Sequence, residues 1–156
     1  MTASLLISAL LGIATTAWAV YANRDLFGAD GAGPVALLEG IYYVVGLASL
    51  GLGWYFNVRY THAYANASYV NYTRMLFTNW AADSAAQDYT IMNVVLLPLW
   101  TISDGRRRGI KIPWMIFVMS LFTSLAFSVA AYLALVERRT RLAARQAQPA
   151  TASSTA

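Results

Sequence analysis

Hydrophobic residues in this chain gather in four long runs, with polar residues collected between them. The first run, TASLLISALLGIATTAWAVYA, extends from Thr2 to Ala22. The second, from Val35 to Phe56, holds one charge, Glu39. The third has an apolar heart from Tyr89 to Ile102 and reaches full length, residues 81–102, only by taking in Asp83, Gln87 and Asp88. The fourth runs from Ile112 to Val136. A helix rises about 1.5 Å per residue, so roughly 20 apolar residues cover the ~30 Å of hydrocarbon in a bilayer. The pattern predicts an all-α integral membrane bundle over residues 1–145, with about four transmembrane helices. Ala17-Trp18-Ala19 resembles a signal-peptide cleavage site, but no basic stretch precedes the first run, so it is read as a retained span.

The intervals have their own textures. Residues 23–34 carry three glycines, two aspartates and Pro34, and read as a loop. Residues 57–80 are rich in Tyr, Asn and Thr. There Tyr60, Tyr64, Tyr72, Met75 and Phe77 share a loose helical face, which predicts an interfacial segment or ordered loop. The tail, residues 146–156, is too polar and small-residued to fold alone. All five tryptophans fall at span ends, where an indole suits the headgroup zone, and Tyr132 is a similar candidate near the end of the fourth run.

Composition sharpens this picture. The chain has 156 residues, 58% hydrophobic and 12% charged, about half the charge of an ordinary soluble domain. The absence of cysteine excludes disulfides, thiolate catalysis and cysteine-ligated metal centres. The net charge of +4 is clustered, and cations beside apolar runs suit lipid headgroups without any nucleic acid. In SDGRRRGIKIP, the cations Arg106, Arg107, Arg108 and Lys111 lie between Trp100 and Trp114, which predicts a membrane hairpin docking on lipid phosphate or a partner. Gly105 and Gly109 suit the reversal, and Pro113 the start of the next helix. With four crossings, the hairpin and the tail lie on opposite faces. Five cations then oppose six, and the slight preference is for a cytoplasmic hairpin.

Candidate chemistry is sparse. Small residues recur at helical spacing: Ser4, Ser8, Gly12 and Thr16; Gly46, Ser49 and Gly53; Ser120, Ser124 and Ser128. Such stripes let helices approach closely. Glu39 and Asp88 are the acids that reach into spans, and Asn93 lies a turn deeper than Asp88, near the carbonyl that Pro98 frees at Val94. These three are the candidates for a ligand or ion site. His62 is the only histidine. It cannot build a multi-histidine metal centre, but it is a candidate axial ligand for haem or a pigment. No metal site, cofactor or catalytic set is implied.

The stretch from about Met75 to Arg139 resembles a family of small, uncharacterised bacterial integral membrane proteins, domain-of-unknown-function family 2834. The resemblance rests on Asp88, the hairpin Asp104-Gly105-Arg106-Arg107-Arg108-Gly109-Ile110-Lys111, Trp114, and Glu137-Arg138-Arg139. Asp104 stands where glutamate is usual in the family. The resemblance implies the bacterial inner membrane and no assigned activity. The expected role is an accessory or structural subunit packed among other integral membrane subunits. The alternatives are a small ion-coupled or lipid-handling carrier working through Glu39 or Asp88, and a pigment- or haem-binding subunit using His62.

Overall fold

The computed structural model describes residues 3–147 apart from 29 and 66, so the predicted tail lies outside the described residues from 148 onward. Every described element is helical. Helix α1 is Ala3–Ala22, and a 3-10 turn follows at Arg24–Leu26. Next come α2 at Leu37–Ala63, α3 at Tyr69–Met75 and α4 at Trp80–Ile91. A π turn, Met92–Leu96, leads without a break into α5, Leu97–Arg107. Helices α6, Met115–Phe122, and α7, Leu125–Ala147, complete the chain.

Helices α1 and α2 are each long and apolar enough to cross a membrane. Both keep most of their apolar surface outward: Ile13 is 67% exposed and Val44 69%. Helix α2 outlasts its predicted end at Phe56 by seven residues, because Asn57–Ala63 continue the turn until Tyr64 goes extended. The predicted interfacial segment is therefore the end of α2 plus short α3 and a turn. Ser68 starts α3 by accepting the Asn71 N–H at 3.1 Å, and Asn79 starts α4 by accepting the N–H groups of Ala81 and Ala82.

The third run is one rod from Trp80 to Arg107, about 42 Å long. Proline has no N–H and crowds the carbonyl four residues back, here that of Val94. The backbone ahead of Pro98 widens, and Leu97 N–H bonds the Met92 carbonyl five residues back. Gly105 lies inside this rod rather than in the turn. It is there for contact, since a Cβ would meet the Pro113 ring at 2.6 Å. The reversal belongs to Gly109, at φ +68°, and to Ile112, at φ +47°.

The fourth run departs furthest from expectation. It is not one continuous helix. Helix α6 ends at Phe122, and Thr123 leaves the helical region with φ −114° and ψ −98°. Helix α7 then comes back to the end that α6 left. Tyr132 reaches Asp104 at the end of α5, and Arg139 Nε donates to the Arg108 carbonyl at 3.0 Å. Hydroxyls make the reversal. Thr123 Oγ1 donates to Met119 O at 2.8 Å, and Ser124 Oγ accepts the Phe127 N–H at 3.1 Å. Gly12 of α1 gives the turn room, for a Cβ there would stand 3.1 Å from both the Phe122 carbonyl and Thr123.

Consequently the hairpin and the end of α7 share one face of the molecule, correcting the predicted opposition. The core lies toward that face: Leu26, Leu97, Ile110, Ile116, Met119, Tyr132 and Leu135 pack together. Tyr132 is wholly buried rather than interfacial, with its ring edge-on to Trp100 at 5.1 Å.

Candidate functional site

Two regions hold the polar side chains. The first is the basic end, where residues 23–36, the hairpin and α7 converge. Asn23 pins the first loop to the hairpin: its Nδ2 donates to Lys111 O at 3.1 Å, and its Oδ1 accepts the Lys111 N–H at 2.8 Å. Asp25 accepts from Lys111 Nζ at 2.9 Å and from Arg139 at 3.3 Å. Asp104 accepts from Arg108 Nε at 2.7 Å and from the buried Tyr132 hydroxyl at 2.8 Å. The Lys111 hydrogen bond holds the Asp25 carboxyl below the usual range, and Arg108 does the same for Asp104. Both aspartates are thus kept charged at the join.

Glu39 is the deepest of these groups, fully buried one turn into α2. Its carboxylate accepts from the Tyr43 hydroxyl at 2.6 Å and from the guanidinium groups of Arg138 and Arg141 on α7. Arg138 also donates to Leu26 O at 3.0 Å, and its guanidinium lies 4.4 Å from the Phe27 ring centre. Arg141 reaches the Pro34 carbonyl at 2.6 Å. An acid so fully engaged is a clamp between helices. Sequence reasoning named Glu39, and Arg138 within the family pattern, but did not pair them, and it missed Arg141 and Tyr43. A carboxylate in an apolar helix needs a cation, and ERRTR, distant in sequence, supplies it.

The second region is a cavity of about 710 Å³ in the opposite half. Helix α1 contributes Ser8, α2 contributes Trp54 and Asn57, α4 contributes Tyr89 and Thr90, and α3 closes one side with Tyr72. The tip of the α6–α7 reversal forms its floor, where Ser120 Oγ donates to buried Asn93 Oδ1 at 2.7 Å. Among the described residues that line it, none is charged. Trp54, Asn57 and Ser8 had no assigned part here: Ser8 had been read as packing and Trp54 as a membrane-interface anchor. Their convergence depends on the fold.

The remaining predicted residues distribute plainly. Asn93 lines the cavity, whereas Asp88 is exposed and accepts from its neighbour Gln87. His62 is exposed and lies outside the cavity lining. Arg106 and Arg107 are exposed at the end of α5, beside Arg108 and Lys111, which are ion-paired. Ser4, Ser8 and Ser120 line the cavity, and other small residues pack internally. Gly46 faces Ala130, Gly53 faces Ser124, Ser49 bonds Ser124 at 3.0 Å, and buried Ser128 lies 3.3 Å from Thr123 Oγ1. Among the described residues no group of three or more His, Cys, Asp or Glu could hold a metal.

Taken together, the molecule is an all-helical protein with a cross-linked basic end and an uncharged cavity in its other half. The chain belongs to the family described as Protein of unknown function DUF2834, whose model matches residues 41–138. No curated protein and no solved structure matches it.

Proposed function

We propose that the chain is a multi-pass protein of the bacterial inner membrane. Three rods cross: α1, α2 and the continuous α4–α5. Helices α6 and α7 enter from the basic end, turn at Thr123–Ser124 and return. Outward Leu, Ile and Val along α1, α2 and the middle of the third rod support this, because water disfavours so large a contiguous apolar surface. With three crossings, nine of the eleven cations fall on one side and only Arg59 and Arg74 on the other. By the positive-inside tendency the basic end is cytoplasmic. The five-against-six balance arose from counting the fourth run as a crossing. Because the chain has no cysteine, a single introduced thiol is a clean label. An impermeant maleimide on intact cells is expected to react with Ala65→Cys and spare Ala144→Cys, and the reverse labelling refutes this orientation.

Within the membrane, the reading with most support is a small lipid-handling carrier or binding protein. The cavity floored by the re-entrant tip is the observation that carries it. Ion coupling through Glu39 has less support, since that carboxylate is committed to two arginines. The accessory-subunit reading rested on small-residue stripes, most of which are taken up by packing inside the chain. Mass spectrometry after purification in mild detergent tests the choice. About one bound small amphiphile per chain is expected. A cavity empty of any such molecule, with another membrane protein at fixed ratio instead, overturns the binding reading.

A further inference from the structure

The cavity also carries information about what it takes. In a low-dielectric site a charge without a partner is strongly disfavoured. Among the described residues the lining offers hydroxyls, amides and aromatic rings but no cation or anion. A phosphate or ammonium headgroup would find no counter-charge there, whereas an uncharged oxygen would find donors. Asn57 and Ser8 are half-buried in the wall, and among the described residues their side chains form no hydrogen bond with the rest of the chain. An amide beside a cavity and without a partner is a recognition group awaiting an acceptor or donor. Trp54, Tyr72, Phe77 and Phe122 supply flat apolar walls for the body of the ligand.

We propose that this cavity binds an uncharged amphiphile, with a carbonyl or hydroxyl head hydrogen-bonded by Asn57 and Ser8 and an apolar body against the aromatic walls. The inference rests on the membrane-binding reading above and narrows it to a chemical class. Two sources share that chemistry, a neutral glycerolipid and a quinone.

Full-length protein in neutral detergent is titrated with dioleoylglycerol, decylubiquinone and dioleoylphosphatidylglycerol, following the thermal unfolding midpoint. The glycerolipid pair share their chains and differ in headgroup charge. Either uncharged probe is expected to raise the midpoint saturably, and the one that does so names the source. Asn57→Leu is expected to weaken that probe about tenfold, the loss of roughly one hydrogen bond. The charged lipid is expected to act equally on both proteins. Ser8→Ala repeats the test should Asn57→Leu fail to fold. Tighter binding of phosphatidylglycerol, lost in Asn57→Leu, overturns the uncharged class while leaving the carrier reading intact. No saturable shift with either uncharged probe also overturns the class, and if the purified protein carries no amphiphile both readings fall.

Discussion

The two halves of this molecule use their polar residues in opposite ways. At the basic end, Asn23, Asp25, Glu39, Asp104 and Tyr132 join segments 28 to 114 residues apart in sequence. In the other half most polar bonds are local, such as Asn71 Nδ2 to the Tyr60 hydroxyl at 3.2 Å; Ser120–Asn93 and Ser49–Ser124 reach across only at the reversal, and α1, α2 and α4 stand apart around a cavity. In the proposed membrane setting, lipid gives helices no hydrophobic reason to associate, so close packing and polar bonds must hold the bundle. Here those bonds are concentrated at one end. The far half is left free to accommodate something else.

The contrast is broken most severely at Glu39. Glu39→Leu leaves Arg138 buried with no carboxylate and deprives Arg141 of its main partner. Removing one member of a buried ion pair typically costs about 3–5 kcal/mol. The expected outcome is a large fall in unfolding temperature in detergent, or loss of monodisperse protein. A variant as stable as the parent would show that the basic end is not what holds the fold.

Tyr132→Phe removes one hydroxyl from the same end. The bond is part-buried and its acceptor, Asp104, is charged; such bonds contribute about 1.5–3 kcal/mol. Calorimetry or denaturant unfolding in micelles should register that loss, with the Trp100 contact kept by the remaining ring.

Acidity probes the exposed rim of this end. Lys111 and Arg108 hold the Asp25 and Asp104 carboxyls below the ordinary value of about 3.9. A carboxyl depressed in the folded state contributes stability that is present above its unfolded value and lost as pH falls through its folded one. The unfolding temperature is therefore expected to be level from neutrality to about pH 5 and to fall below about pH 4. Asp25→Asn should lie lower at neutrality, with the gap to the parent closing on acidification. A gap constant with pH would mean that the carboxyl's charge is not what Lys111 and Arg139 read.

What the sequence made legible follows the same division. Run lengths located α1, the body of α2 and the third rod, because hydropathy reports directly on which helices can face lipid. Family membership was legible from the hairpin residues. The reversal at Thr123–Ser124 was hidden, since it uses hydroxyls in place of glycine or proline and apolar residues continue on both sides of it. The Glu39 clamp was half visible: the acid stood out in its helix, but its cations lie 99 and 102 residues onward. The cavity was legible only at Asn93, which stood out as a ligand candidate within its span. Ser8 and Asn57 gave no such sign in their own segments, and only the re-entrant pair brings a floor beneath them.

The smallest expected effect is also the most discriminating. Ser8→Ala deletes one hydroxyl, the same chemical change as Tyr132→Phe, but in the half where that hydroxyl has no partner among the described residues. No bond is lost and no packed group is withdrawn, so its stability should stay within about 0.5 kcal/mol of the parent. The same hydroxyl faces the cavity, so affinity for an uncharged amphiphile should fall while stability does not. Comparable destabilisation by the two substitutions would mean that Ser8 is engaged and the far half is closed. A silent Ser8→Ala in stability, joined to weakened binding, separates the end that holds the molecule together from the end that holds its ligand.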